Sequence, residues 1–62
     1  MPNFYIIVIV YFNNDTETIS GQLNTLSGAI PEAKEKLNKL LKTLEAEKNN
    51  HYIKDYSIDY ES

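Results

Sequence analysis

The run from Phe4 to Phe12 constrains the fold of this chain more than any other feature. It contains nine consecutive apolar or aromatic residues, FYIIVIVYF, and many of them are β-branched. Such a run predicts a β-strand without a polar face, because side chains along a strand alternate between the two sides of the sheet. The rest of the chain supplies one helix, which can cover only one side. We therefore expect the other side to meet a partner molecule or a ligand.

The chain has 62 residues, which predicts a single small domain spanning residues 1–62. Domains of this size usually need disulfide bonds, a structural metal or oligomerisation to be stable. The sequence has no cysteine and only one histidine, which excludes a disulfide framework and argues against a structural zinc site. Oligomerisation remains, and the partner that we expect first is a second copy of the chain, in a homodimer or a higher oligomer.

The charge balance argues against some classes of partner. Nine acidic residues outnumber six lysines, arginine is absent, and the formal net charge is −3. Duplex DNA is therefore not expected as a partner, because phosphate neutralisation needs a clustered basic surface. The apolar run is shorter than the roughly 20 residues that a membrane-spanning helix needs, and no signal-peptide pattern precedes it. We expect a soluble cytoplasmic protein without a membrane partner.

Local patterns after the apolar run predict a second strand, a helix and a third strand. Asn13-Asn14-Asp15 is typical of a turn, and a second strand is expected from Thr16 to about Leu26. Pro31 to Lys48 is expected to form a helix, since leucines recur at steps of three and four, with Asn49-Asn50 as its left-handed end. His51 to about Tyr60 alternates in polarity, which predicts the third strand.

These elements predict an α+β domain with the order β-β-α-β. The most apolar strand belongs in the centre, so we expect a three-stranded sheet in the order 2-1-3, whose central strand is antiparallel to both neighbours. One helix is expected on one face of this sheet. A two-residue loop at Asn14-Asp15 would set the register, pairing Val10 with Ile19.

This register assigns residues to the two faces of the sheet. The helix is expected to cover the even-numbered apolar residues of the first strand, Phe4, Ile6, Val8, Val10 and Phe12. The opposite side of the same strand then remains for an oligomer interface. The residues predicted at this interface are Tyr5, Ile7, Ile9, Tyr11 and Ile53. An apolar band bordered by polar groups is typical of an interaction site on a small protein.

No arrangement of residues predicts catalysis. His51 is interpreted as a polar turn residue, because no serine or cysteine nucleophile accompanies it in a known motif. Asp55 and Asp59 would lie roughly 13 Å apart on one strand, beyond the 5 to 9.5 Å that paired-carboxylate hydrolysis requires. We expect neither an enzyme nor a bound metal or cofactor.

Binding is the function class that remains. The leading hypothesis is a homo-oligomeric, non-enzymatic binding protein that inhibits by binding or sequestration, and the abundance of Asn, Lys, Ile and Tyr favours a phage or mobile element as its source. One alternative is a sponge for a small nucleotide-type ligand, held between protomers by the residues Tyr5, Tyr11, Tyr52, Lys54 and Tyr56. Another alternative is an inhibitor of one host protein that binds through an edge strand or an acidic face.

Overall fold

The computed structural model describes residues 3–62, which form one three-stranded sheet, one small hairpin and one helix. The elements in chain order are β1 (Phe4–Val10), β2 (Thr16–Gln22), β3 (Asn24–Thr25), β4 (Gly28–Ala29), α1 (Pro31–Asn49) and β5 (Asp55–Glu61). The sheet order is β2-β1-β5, and β1 is antiparallel to both neighbours. The predicted α+β class, strand order and single helix are confirmed.

The predicted register between the first two strands is wrong by three residues. Val10 pairs with Thr16, and Ile19 pairs with Ile7. The connecting turn is longer than the two residues expected. Its closing hydrogen bond runs from the Tyr11 backbone N–H to the carbonyl of Asp15, at 2.9 Å. Within this turn Asn14 has a φ of 70°, a left-handed conformation that asparagine tolerates well. An odd shift moves every side chain of β2 to the opposite face of the sheet.

The helix consequently covers the other side of β1. The odd-numbered residues of β1 are the buried ones, and the even-numbered residues of β1, which were expected beneath the helix, lie on the uncovered side. The buried core consists of Tyr5, Ile7, Ile9, Leu37, Leu44 and Ile53. The flanking strands explain this choice, because Ile19 and Ile58 lie on the same side as Ile7, to which both are paired. Polar residues pair with the even-numbered positions of β1, so the odd side is the one that excludes water most completely.

The helix begins and ends at recognisable signals. Pro31 occupies its first turn, where a missing N–H is no loss. At the other end the Tyr52 N–H donates to the carbonyl of Glu47 at 2.8 Å, and the His51 N–H donates to that of Lys48 at 3.1 Å. These two bonds define a Schellman motif. Its left-handed residue is His51, with a φ of 62°, and not either of the two asparagines expected there.

The short hairpin of β3 and β4 connects β2 to the helix and was not anticipated from the sequence. Its tip is Leu26-Ser27, and the Leu26 side chain is fully exposed. The Leu23 N–H, just before the hairpin, donates to the carbonyl of Asn3 at 2.6 Å. The hairpin is therefore anchored beside the start of β1.

The described residues form an unusually thin and extended molecule. The radius of gyration is 12.8 Å, whereas a compact domain of this length is expected to have about 11 Å. The principal extents of 41 × 18 × 13 Å correspond to one sheet and one helix. Within residues 3–62, no element covers the side of the sheet that faces away from α1.

Candidate binding surface on the open face of the sheet

We use the name open face for the side of the three-stranded sheet that faces away from α1. Its centre is an apolar stripe from β1, formed by Phe4, Ile6, Val8 and Val10. Residues paired across an antiparallel ladder share a face, so the register defines the two flanking rows. The β2 row contains Thr16, Thr18, Ser20 and Gln22. The β5 row contains Asp55, Ser57, Asp59 and Glu61.

The apolar stripe is accessible to solvent along its whole length. Ile6, Val8 and Val10 are half-buried, and Phe4 is 45% exposed. By contrast, Ile7 between Ile6 and Val8 is completely buried. Scattered exposed apolar residues are common on protein surfaces, whereas a contiguous row bordered by polar groups is typical of an interaction site.

The two flanking rows differ in chemistry. The β2 row offers hydroxyl groups and one amide, whereas the β5 row offers the carboxylates of Asp59 and Glu61. Every lysine of the chain lies in α1 or at position 54, so none belongs to the three strands of this sheet. The open face therefore has a neutral edge that can donate hydrogen bonds and an acidic edge that can accept them.

Asp55, at the start of the β5 row, is engaged with the helix. Its carboxylate lies 3.1 Å from Nζ of Lys48 and accepts a bond from the Tyr56 backbone N–H at 2.8 Å. The Lys48 bond, followed by that of Tyr56, holds the pKa of Asp55 below its ordinary value of 3.8. Both side chains of the ion pair are largely exposed, so its effect on stability is small.

A pH dependence follows from the lowered pKa of Asp55. The stabilisation from its charged form is present above pH 3.8 and is lost as the pH falls through the lower folded-state pKa. We expect the unfolding free energy of the wild type to fall more between about pH 5 and pH 2 than that of Asp55→Asn. Urea denaturation across this range measures the difference. Lys48→Gln serves as the matched variant. An equal fall in unfolding free energy with pH in all three proteins would contradict the assignment of this pH dependence to the pair of Lys48 and Asp55.

The open face continues at one end into the β3–β4 hairpin. Phe4 and Leu26 line a shallow cavity of about 220 Å³ together with Asn3, Gln22, Asn24 and Thr25. Leu26 and Phe4 are both exposed apolar side chains. This end of the sheet therefore extends the apolar stripe beyond β1.

A second cavity, of about 310 Å³, lies on the other side of the sheet, between the start of α1 and β5. Its lining is mainly apolar, with Lys34, Asn38 and Tyr60 among its polar members. Leu37 contributes to its floor and also belongs to the buried core. This cavity is open to solvent and has no cluster of acidic or histidine side chains among its lining residues.

The structure places the predicted interface residues in the interior of the single chain. Tyr5, Ile7, Ile9 and Ile53 are buried between sheet and helix, and Tyr11 packs partly buried against them. Their assignment to an uncovered side is wrong, because the register of β2 is shifted by an odd number of residues. The even-numbered stripe was the set that the sequence interpretation missed. The signal that could have identified it is the polarity of the second and third strands at the paired positions.

The residues proposed for a ligand site do not meet within one chain. Tyr5 pairs with Tyr60 and is buried, whereas Tyr56 pairs with Ile9, about 13 Å further along the sheet. Tyr52 is exposed at 73%, and Lys54 is also exposed.

The hydroxyl groups of two of these tyrosines already have acidic partners. Tyr56 donates to Glu45 at 2.6 Å, and Tyr11 donates to Glu17 at 3.2 Å. The bond to Glu45 raises the pKa of Tyr56, and Lys48 lies over its ring at 5.9 Å. These contacts link Tyr56 to the helix.

The open face has the geometry of a recognition surface, with an apolar centre and polar margins. In the part of the chain that the structure describes, no group of three or more His, Cys, Asp and Glu side chains could hold a metal ion. No helix among the same residues is both long enough and apolar enough to cross a bilayer. Comparison of this chain with protein-family models, with curated proteins and with solved structures finds no match.

Proposed function

We propose that this protein is a non-enzymatic binding protein that works as a homodimer assembled through the open face. The observation that carries the proposal is the stripe of Phe4, Ile6, Val8 and Val10, which no other part of the described chain covers. A two-layer domain with an apolar sheet face is completed when a second layer packs on that face. A second copy supplies such a layer with the same apolar centre.

The small size of the core supports this assembly. Only six of residues 3–62 form the buried apolar core, and complete burial of one large aliphatic side chain contributes about 1.5 to 3 kcal/mol. Three of the four stripe residues are already half-buried in the single chain, so pairing of two open faces removes only the exposed remainder of each side chain from water. Summed over both copies, even a part of that contribution per side chain matters beside the stability expected of a 62-residue domain, about 3 to 9 kcal/mol.

Sequestration or inhibition by such a dimer would use the surfaces that pairing leaves free. These surfaces are the outer sides of the two helices, which carry most of the lysines, and the outer edges of β2 and β5. Both edge strands are seven residues long and are available for addition of an extended peptide. This strand addition to one protein partner is the second candidate function, and it does not require the open face.

The homodimer is tested by charging the centre of the stripe. We expect wild-type protein to sediment as a dimer at micromolar concentration and Val8→Lys to sediment as a monomer, because the charged group would be buried against the partner copy. Thr43→Lys, on the exposed side of α1, adds the same charge away from the sheet and should leave the dimer intact. Sedimentation velocity measures the masses, and circular dichroism reports whether each variant is folded.

Two outcomes would contradict the homodimer. One is a wild-type monomer throughout the micromolar range. The other is a Val8→Lys dimer with an unchanged dissociation constant, which would point to association through the strand edges.

A further inference from the structure

We propose that two copies pair with their β1 strands parallel, about a two-fold axis that runs along β1, so that β2 of each copy lies opposite β5 of the other. This orientation rests on the homodimer proposed above. It adds a specific prediction that the dimer alone does not make. Each copy would contribute one edge to two identical polar seams that flank the shared apolar centre.

Symmetry leaves two simple ways to place one open face on another. Aligned sheets pack with their strands within about 30° of each other, and a dimer of identical faces is related by a two-fold axis in the plane between them. The axis can run along β1 or across it. An axis along β1 places β2 of one copy opposite β5 of the other. An axis across β1 places β2 opposite the partner's β2 and β5 opposite the partner's β5.

The first orientation matches donors with acceptors. Ser20 and Asp59 both pair with Ile6, so they lie at the same height on opposite edges of one sheet. An axis along β1 keeps this height and brings Ser20 opposite the partner's Asp59. Gln22 and Glu61 are related in the same way through Phe4. Each carboxylate therefore meets a hydroxyl or an amide, which can donate to it as the interface loses water.

The second orientation separates donors from acceptors. It places β5 on the partner's β5, so that Asp59 and Glu61 of both copies share one seam. The strands of the sheet contain no lysine that could compensate these charges. The opposite seam would hold only hydroxyl groups and amides from β2. Carboxylates that lose water without a donor are costly, and like charges along one seam repel each other.

The two orientations are distinguished by placing either charge at Ser20. In the proposed orientation Ser20→Lys faces the partner's Asp59 twice per dimer, and we expect the dimer to tighten by roughly fivefold. Ser20→Asp should loosen it by a similar factor. With β2 on β2, both variants place like charges along one seam, and both should loosen the dimer. Dissociation constants are measured by sedimentation equilibrium.

Matched variants separate this local effect from that of net charge. Thr43→Lys and Thr43→Asp make the same charge changes on the exposed side of α1, and the effects at Ser20 should exceed those at Thr43. Adding Asp59→Asn to Ser20→Lys should remove the gain. Weakening of the dimer by both Ser20 variants would overturn the orientation and leave the dimer standing. A wild-type monomer would overturn the proposed function itself.

Discussion

Replacement of Ile7 by alanine is expected to lower the free energy of unfolding by about 2 to 5 kcal/mol. Ile7 is completely buried at the centre of β1, beneath the helix and beside Ile19 and Ile58. The substitution removes apolar contacts and leaves a cavity that a small core cannot easily close. The loss is a large part of the stability expected for a domain of this size, so partial unfolding at room temperature is the anticipated result. Urea denaturation followed by circular dichroism measures it.

The neighbouring residue provides the control. Val8→Ala shortens an adjacent side chain on the open face, where the site is half-buried in the single chain. At protein concentrations low enough to separate the copies, we expect Val8→Ala to cost much less than Ile7→Ala. A larger loss at Val8 would contradict the assignment of the two sides of β1.

Replacement of Gly21 by alanine is expected to cost about 1 to 3 kcal/mol, because it overpacks the core. The Tyr5 ring lies directly against the Gly21 backbone, and a Cβ at that position would approach Cε1 of Tyr5 to 2.6 Å. Tyr5 is almost fully buried and belongs to the core, so its ring cannot move aside freely. The loss is measured as a lower midpoint in thermal or urea unfolding.

A second substitution at Tyr5 tests the cause of that loss. Tyr5→Leu shortens the side chain that the new methyl group would meet, so the double variant with Gly21→Ala should be more stable than the sum of the single losses predicts. Ser20→Ala, next along β2 and exposed in the single chain, is the control and should have little effect at protein concentrations low enough to separate the copies. Additive losses at positions 5 and 21 would contradict the steric explanation.

The sequence pattern was sufficient to predict the elements and their arrangement. Both faces of β1 are apolar, which required a central position for this strand in the sheet. The leucine spacing of α1 required one helix. The predicted helix from Pro31 to Lys48 differs from the observed one by a single residue. The first two predicted strands extended past their observed ends, and the third was predicted to begin too early. Strand boundaries depend on turn geometry and not on apolar content.

The faces of the sheet could not be derived from β1 alone. Both sides of this strand are apolar, so its own pattern does not say which side the helix covers. The decision depends on the register of β2, and that depends on the length of the turn between Tyr11 and Asp15. A turn with Asn14 in the left-handed conformation is compatible with several loop lengths. The expectation of an uncovered apolar side was correct, whereas the residues assigned to it were wrong.

The pairing of β1 with β5 has a consequence for biosynthesis. Phe4 pairs with Glu61, which lies 57 positions later in the chain. During translation the apolar strand β1 is made long before β5, the strand that pairs with one of its edges. Strand pairing between segments distant in sequence is also slow. Chains in which β1 has emerged from the ribosome before β5 is made or paired are therefore vulnerable to misassociation. A chaperone that binds the early segment would protect the chain during this interval.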